Sequence, residues 1–173
     1  MIDWNAIVTR DGPVVWKVLW KLLGDASDVE ECFQETFLGA VEFSRKETIA
    51  FWPAVLTRLA TAKAIDRLRV RYRTRQRREV LLANAAHMSW QGGEPFSRAD
   101  DPAELAVAAE LSERLREALT ELPEKQADIF VLHSIQGWSH RDISDRMQMT
   151  ENAVRTALHR ARQQLREQLD TRP

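Results

Sequence analysis

The end of the chain carries side chains that could contact DNA. The segment from Arg155 to Arg166 contains four arginines and no acidic residue. Asparagine and arginine can hydrogen-bond to base edges, whereas threonine and arginine can hold phosphates. On a helix, one set of polar residues would occupy outward or flanking positions: Asn152, Arg155, Thr156, His159, Arg160 and Arg162. We therefore predict that this helix binds DNA, the alternative being an ordinary solvated basic face.

Two short helical patterns that meet at a turn would position this surface. Ser139 is placed to cap the first helix and Thr150 the second, because their hydroxyls can accept hydrogen bonds from free backbone amides. The last helix has an inward apolar stripe made of Ala153, Val154, Ala157, Leu158, Ala161 and Leu165. This arrangement is typical of a helix-turn-helix, whose second helix enters the major groove.

A second basic segment lies in the first half of the chain. Residues 58–79 hold nine basic and two acidic residues, with Tyr72 interleaved among the arginines. Such a run favours contact with a nucleic-acid backbone, although a solvated helix end is the commoner role of a basic run. Just before it, Phe51 and Trp52 could stack on bases, but aromatic residues more often anchor a core or a loop.

Residues 25–35 have the opposite character, with five acidic residues and no basic one. Helical spacing places the polar residues of this segment on one surface, while Val29, Phe33 and Phe37 face a core. That surface contains Glu30, Glu31, Gln34 and Glu35. Segregated charge suggests one anionic and one cationic partner, although an ordinary charged helix face is the alternative.

Composition narrows the function classes. The 173 residues are 44% hydrophobic and carry a net charge of −1, so a packed core is expected. The single cysteine, Cys32, excludes an intramolecular disulfide and is compatible with a reducing cytoplasm. No apolar run is long enough to span a membrane, and no signal-peptide core is present. The four histidines lack metal-ligand spacing and no catalytic motif is present, so neither a cofactor nor enzymatic activity is expected.

Hydrophobic periodicity predicts an all-α fold with two small helical domains and a flexible linker. Helical spacing in the first domain includes Val14, Val18 and Leu22, a break at Gly24 capped by Asp25 or Ser27, and a helix with Pro53 in its first turn. The inward face of that helix is predicted to hold Val55, Leu59, Ala62, Ile65 and Leu68. We place the domains at residues 1–80 and 104–173, with a linker rich in glycine and proline at residues 81–103.

Three segments together resemble a known family. They are VEECFQETF at residues 29–37, VLTRLATAKAIDRLRVRYR at residues 55–73, and LPEKQADIFVLHSIQGWSHRDISDRMQMTENAVRTALHRARQQL at residues 122–165. The chain is similar over nearly its whole length to bacterial RNA polymerase sigma factors of the extracytoplasmic-function class. These are compact members of the sigma-70 family that contain only domains two and four.

The resemblance implies a transcription initiation factor with defined contact residues. The surface of Glu30, Glu31, Gln34 and Glu35 would dock on core RNA polymerase. The minus-ten promoter element would contact Trp52, Arg58, Lys63, Arg67, Arg69, Arg71 and Arg73, and the loop at residues 46–53 would receive a flipped base. The minus-thirty-five element would meet Asn152, Arg155, Thr156, His159 and Arg160. The linker would extend toward the RNA exit path.

The implied partners are core polymerase, promoter DNA and an anti-sigma factor, with no membrane insertion. Ala62 replaces a frequent asparagine, Ala157 replaces a frequent arginine, and Arg141–Asp142 replaces the usual acidic pair. These departures leave open which bases are recognised. Because the net charge is near zero, we expect tight promoter binding only with core polymerase. A stand-alone helix-turn-helix regulator and a helical adaptor without a nucleic-acid partner are the competing hypotheses.

Overall fold

The computed structural model describes the backbone of residues 2–82 and 102–171, and side chains over residues 2–77 and 107–170. Within these ranges the chain is helical and contains no strand, which confirms the all-α prediction. The α-helices are α1 (Trp4–Leu23), α2 (Ala26–Ser44), α3 (Trp52–Leu82), α4 (Pro102–Thr120), α5 (Glu124–Phe130), α6 (His140–Met147) and α7 (Glu151–Thr171), with a π-helical segment at Val131–Ile135. Most of the predicted linker, residues 83–101, lies outside the described residues.

Helix α1 ends, and helix α2 begins, at the break that the sequence predicts. Gly24 ends α1 in the left-handed conformation, with φ of 67°, and its amide donates to the Trp20 carbonyl over 2.9 Å. Asp25 caps α2, because its Oδ1 accepts a hydrogen bond from the Asp28 amide over 3.0 Å. At the start of α1, Asp3 accepts in the same way from the Ala6 amide.

Helices α1, α2 and α3 supply most of the first core, to which α4, α5 and α7 also contribute buried residues. Val18, Leu22, Val29 and Leu68 are buried as predicted, but Val14 is 43% exposed. The prediction for Val14 was wrong because the inward stripe of α1 follows its neighbour Val15, rotated by one position around the helix. Helix α3 buries more than one stripe, since it packs against α1, α2, α4 and α5. Its buried residues include Leu56, Thr57, Ala60, Thr61 and Ala64, whereas Val55, Leu59 and Ala62 are only half-buried.

Helices α5, α6 and α7 form the helix-turn-helix module around a second core of Ile129, Leu132, Ile143, Val154 and Leu158. Ser139 and Asp142 form a capping box, in which the Asp142 amide donates to Ser139 Oγ over 3.0 Å. Thr150 Oγ1 accepts a hydrogen bond from the Ala153 amide over 3.2 Å, so both predicted caps are confirmed. Gly137 adopts a positive φ in the turn before α6.

The two modules contact each other. Arg116 of α4 donates from Nε to the Leu22 carbonyl over 2.9 Å, close to the end of α1. A Cβ atom at Gly24 would lie 2.6 Å from Arg116 Nη2, so the missing side chain leaves space for the guanidinium. From α3, the Tyr72 hydroxyl donates to Glu113 Oε2 over 3.0 Å. In this structure the tethered modules are therefore docked.

Candidate nucleic-acid interface

Helix α7 presents the row of polar side chains that the sequence places outward. The five residues predicted to meet the minus-thirty-five element are all exposed, namely Asn152, Arg155, Thr156, His159 and Arg160, and so is Arg162. The opposite side of the helix is buried through Val154, Leu158, Ala161 and Leu165. Burial of this stripe fixes the rotation of α7, so the polar row faces solvent as one continuous surface.

The polar row is only lightly engaged with the rest of the molecule. Arg155 Nη2 lies 3.4 Å from Glu151 Oε2, and the two side chains are 63% and 47% exposed. Thr156 Oγ1 donates to the Asn152 carbonyl over 2.9 Å. An exposed ion pair at this spacing contributes at most about 1 kcal/mol, so a phosphate or a base edge could replace Glu151 as the partner of Arg155.

Helix α6 precedes the turn that leads into α7, and a capping box fixes its first turn. Hydrogen bonds from the Ser139 side chain and backbone hold the pKa of Asp142 below its ordinary value, so the cap is charged at neutral pH. A negative charge in the first turn also matches the positive end of the helix dipole. Gln148 ends α6 in the left-handed conformation with φ of 52°, which turns the chain toward Thr150.

Several predicted basic residues of α3 are paired with acidic residues of α2. Lys63 Nζ lies 3.5 Å from Glu35 Oε2. Arg67 contacts Glu31 and lies 3.7 Å from Asp28 Oδ1. The acidic and basic segments therefore partly neutralise each other across the α2–α3 contact, although the sequence suggested separate partners for them.

The acidic surface keeps exposed members despite these pairs. Glu30 and Gln34 are exposed, and the side chains of Glu31 and Glu35 are 54% and 42% exposed. Cys32 lies on the buried side of α2, and burial raises the pKa of its thiol. One face of α2 thus remains available to a partner while the opposite face is fixed in the core.

Other predicted residues of α3 face α4, the turn that follows it, and α5. Arg69 donates from Nε to the Thr120 carbonyl over 3.1 Å and from Nη2 to the Leu122 carbonyl over 3.2 Å. Arg71 Nη2 lies 3.7 Å from Glu113 Oε1. Arg58 Nε lies 4.0 Å from Asp128 Oδ2. In the docked arrangement these side chains interact with carbonyl and carboxylate groups of the protein itself, whereas Arg73 is exposed.

Tyr72 does not offer the stacking surface that its place among the arginines suggested. It is 6% exposed, and burial together with nearby Glu113 raises the pKa of its hydroxyl. Helix α4 covers the tyrosine, so it acts as a packing residue between the modules. No sequence pattern indicated this contact, because Glu113 lies 41 residues away.

The two aromatic residues before α3 have different environments. Trp52 is half-buried and makes an edge-to-face contact with Trp4, with ring centroids 5.0 Å apart. Phe51 is 38% exposed, and Arg146 Cζ lies 3.3 Å from the centroid of its ring. The predicted minus-ten residues include Trp52, but the more exposed residue of the pair is Phe51. The only indication in the sequence that Phe51 could offer an aromatic contact was its position next to Trp52.

Comparison with known proteins identifies the two modules. Residues 7–74 match the family model described as sigma-70 region 2, and residues 112–165 match the model described as sigma-70, region 4. The chain belongs to the sigma-70 family. Region 2 here comprises α1, α2 and most of α3, and region 4 comprises the end of α4 through most of α7.

Named relatives confirm the resemblance to the extracytoplasmic-function (ECF) class. The ECF RNA polymerase sigma factor SigE of Mycolicibacterium smegmatis is 29% identical over 169 residues, which cover 98% of this chain and 62% of that protein. SigW of Bacillus subtilis, another ECF RNA polymerase sigma factor, is 27% identical over 163 residues, covering 90% of this chain and 82% of that protein. The chain thus spans less than two thirds of the SigE relative.

A solved structure shares the fold of this sigma-70 family member. It is the sigma factor RpoE in complex with the anti-sigma factor NepR from Bartonella quintana, with a TM-score of 0.51 and 18% identity. The alignment covers 99% of each chain. Among the described helices of this ECF sigma factor, none is both long and apolar enough to cross a bilayer. The same described residues contain no cluster of three potential metal ligands.

Proposed function

We propose that this ECF sigma factor binds core RNA polymerase and directs it to specific promoters. The observation that carries the proposal is the presence of both sigma-70 regions in one chain, with an exposed polar row on the second helix of the helix-turn-helix. In this proposal the protein supplies recognition and strand capture, and its expected place of action is the cytoplasm.

Helix α7 is proposed to enter the major groove at the minus-thirty-five element. Its row offers the side-chain types that bind base edges and phosphates, and the buried stripe behind it supplies a rigid support. Arg155 is the proposed base or phosphate ligand at the centre of the row, because only an exposed pair with Glu151 holds it. Asn152, Thr156, His159 and Arg160 complete the proposed contact surface.

Helix α2 is proposed to dock on core polymerase through Glu30, Glu31, Gln34 and Glu35. Glu30 and Gln34 are exposed, and the pairs with Lys63 and Arg67 hold the other two carboxylates on the same side of the helix. A basic surface on the polymerase would complement this face. Such complementarity chiefly increases the rate and specificity of association.

Helix α3 and the loop before it are proposed to bind the opened minus-ten element. Arg58, Lys63, Arg67, Arg69, Arg71 and Arg73 are the proposed backbone ligands, and Trp52 and Phe51 are the proposed aromatic contacts. Unstacking a base costs a few kcal/mol, which capture of the extruded base can offset. Contacts to phosphate would make this binding strongly dependent on salt.

Run-off transcription with purified core polymerase over a genomic promoter pool tests the proposal. We expect specific transcripts with the full chain, and their loss in Glu30→Lys, which reverses charge on the proposed docking face. Glu42→Lys is the matched control, because Glu42 is exposed on the same helix outside the proposed surface. Failure of the wild-type chain to bind core or to support any transcript would overturn the proposal.

Gel shifts with duplex DNA separate the two competing functions. A stand-alone regulator would bind promoter duplex tightly without core polymerase, and a helical adaptor would bind neither DNA nor core. The solved relative RpoE is described as a complex with the anti-sigma factor NepR. We infer that an anti-sigma factor also covers the polymerase-binding faces of this chain. Affinity purification from cells at low expression should recover such an inhibitor, and recovery of the chain alone would contradict that inference.

A further inference from the structure

A cavity of about 400 Å³ lies along the second half of α3, between the start of α2 and the middle of α4. Its volume falls within the range of pockets that hold small ligands. Five residues of α3 that recur at helical spacing, and so share one face, line it: Arg67, Val70, Arg71, Thr74 and Arg75. The cavity therefore has a basic floor that two other helices flank.

Carboxylates of α2 and α4 also line this cavity. Asp28 Oδ1 lies 3.7 Å from Arg67 Nε, and Glu113 Oε1 lies 3.7 Å from Arg71 Nη2. Both distances exceed the roughly 3.2 Å upper limit of an ordinary N–H···O hydrogen bond. A ligand can therefore place its own acceptors and donors beside these groups without breaking a hydrogen bond between them.

Groups outside the cavity hold two of its arginines in place. Arg67 contacts Glu31 of α2, and Arg71 donates from Nη1 to the Leu23 carbonyl over 3.3 Å. Neither Glu31 nor Leu23 lines the cavity. Because these side chains are positioned before a ligand arrives, less conformational entropy is lost when it binds.

The Glu113 carboxylate is held in the same way. Its Oε1 accepts from Arg116 Nη1 over 2.6 Å, and its Oε2 accepts from the Tyr72 hydroxyl over 3.0 Å. The charge of Glu113 is thus compensated by Arg116 and does not depend on the longer contact with Arg71. Arg71 can bind an anion while Glu113 keeps its closer partners.

The spacing of the arginines suits a chain of phosphates. Arg67, Arg71 and Arg75 follow one another at intervals of four residues, which places their backbones about 6 Å apart along the helix axis. A guanidinium can bind a phosphate through two parallel hydrogen bonds. A single phosphate engages one or two of these side chains, whereas a diphosphate or triphosphate can lie along all three.

The rest of the lining suits a nucleoside better than a strand. Carboxylates such as Asp28 and Glu113 accept hydrogen bonds from the amino group of a base or the hydroxyls of a ribose. Val70 is 59% exposed and offers an apolar contact, and Thr74 adds an exposed hydroxyl. A continuous strand carries a phosphate at every nucleotide, and some of these would face the carboxylates.

We propose that this cavity binds a nucleoside polyphosphate. Its phosphates contact Arg67, Arg71 and Arg75, and the donors of its base and ribose meet Asp28 and Glu113. The proposed function assigns Arg67 and Arg71 to the opened minus-ten strand, so a bound nucleotide competes with promoter DNA. This competition rests on the proposed function, whereas the binding site does not.

Isothermal titration calorimetry of the full chain with ATP, GTP and inorganic triphosphate tests the site. We expect saturable one-to-one binding of at least one nucleotide. Its affinity should be at least about tenfold higher than that of triphosphate, because only a nucleoside donates hydrogen bonds to the carboxylates. Absence of saturable binding by both nucleotides, or an equal affinity for triphosphate, would overturn the proposal.

A pair of added charges locates the ligand. Thr74→Glu places a carboxylate in the cavity while every arginine remains, and it should weaken nucleotide binding at least about tenfold. Gln76→Glu is the matched control, because it adds the same charge at an exposed position of α3 that does not line the cavity. Equal weakening by the two variants would show that the nucleotide responds to net charge alone, and the proposed site would be wrong.

A pair of removed charges provides a second comparison. Arg71→Gln removes a guanidinium from the lining and should weaken nucleotide binding at least about tenfold. Arg73→Gln removes an exposed arginine of the same helix that does not line the cavity, so it should bind nucleotide like the wild type. Circular dichroism checks that each variant is folded. If Arg71→Gln does not fold, Thr74→Glu and Gln76→Glu decide the matter.

A randomised single-stranded oligodeoxynucleotide separates the two possible ligands at low salt. Saturating nucleotide should lower its affinity for the wild type, and an unchanged affinity would overturn the proposed competition. If Thr74→Glu weakens binding of the oligodeoxynucleotide while ATP and GTP fail to bind the wild type, the cavity serves a strand and the proposal is wrong. These measurements need no core polymerase, so a failure of transcription would remove the proposed function and leave nucleotide binding standing.

Discussion

The carboxylate of Asp128 lies 4.0 Å from the guanidinium of Arg58, across the contact between α5 and α3. The Asp128 side chain is 7% exposed and the Arg58 side chain 48% exposed, so one partner is buried and the other is hydrated. Burial raises the pKa of Asp128 to about 6, Arg58 opposes the rise, and Glu124 adds to it. Ionisation of the buried Asp128 carboxylate at neutral pH therefore lowers the stability of the docked structure.

This relationship predicts a dependence of stability on pH. Because the folded pKa exceeds the unfolded value, the folded protein binds the proton more tightly, and the contribution of Asp128 to stability is lost as pH rises through about 6. Lowering the pH from about 7.5 to 5 should increase this contribution by roughly 1–2 kcal/mol. Urea denaturation of wild type and Asp128→Asn, compared at each pH, separates the contribution of Asp128 from that of other titrating groups.

Asp128→Asn should be more stable than wild type at pH 7.5, and the difference between them should shrink toward pH 5. Asp145→Asn, which removes an exposed carboxylate from α6, should show no such trend. A less stable Asp128→Asn protein at pH 7.5 would show that the pair with Arg58 outweighs desolvation.

A second prediction concerns the cap that supports the helix-turn-helix. Ser139→Ala removes the hydroxyl that accepts from the Asp142 amide and should lower the free energy of unfolding by about 1 kcal/mol. Ser134→Ala is the control, because Ser134 is exposed in the π-helical segment and caps no helix. Chemical denaturation followed by circular dichroism measures both. Equal stability of the two variants would contradict the role of the capping box.

Local features of this kind were predictable from the sequence. The caps at Asp25, Ser139 and Thr150 depend on hydrogen bonds to residues three positions away, and the buried stripe of α7 depends on helical periodicity alone. The three segments that carry the family resemblance are likewise each continuous in sequence. In each case the interaction that decides the structure lies within one helix or one turn.

Contacts between distant segments were not predictable. Arg67 and Lys63 meet acidic residues of α2, and Tyr72 meets Glu113, only because the helices pack side by side. The same holds for the contact between Arg146 and Phe51, which lie far apart in the sequence. A basic run has the same sequence pattern whether its side chains face solvent, DNA or another domain, so periodicity could not choose among these outcomes.

Glycine positions give a third prediction, with a matched pair. Gly24→Ala forces an alanine to a φ of 67° and brings its Cβ within 2.6 Å of Arg116, so we expect a loss of at least about 1 kcal/mol. Gly39→Ala in α2 should instead stabilise by up to about 1 kcal/mol, because alanine favours a helix and the nearest atom, of Leu59, would lie 4.0 Å away. Thermal denaturation should shift in opposite directions for the two variants.

The fourth prediction concerns the proposed groove-binding row of α7. Arg155 is held only by an exposed pair with Glu151, and its loss leaves the buried stripe of the helix intact. A base or phosphate contact from arginine is worth about 1–3 kcal/mol, so Arg155→Ala should reduce transcription from promoters that depend on the minus-thirty-five element by about tenfold or more. Affinity for core polymerase should not change, because Arg155 is not part of the acidic face of α2 that is proposed to dock on the polymerase.

Arg162→Ala separates a specific contact from a general loss of charge. Arg162 is exposed on the same helix but is not among the residues predicted to meet the minus-thirty-five element, so this control should retain most transcription. Competition with excess nonspecific duplex adds a second readout, since loss of a base contact lowers discrimination whereas loss of a phosphate contact lowers all binding evenly. If Arg155→Ala and Arg162→Ala weaken transcription equally, α7 acts through net charge and the proposed recognition by Arg155 is wrong.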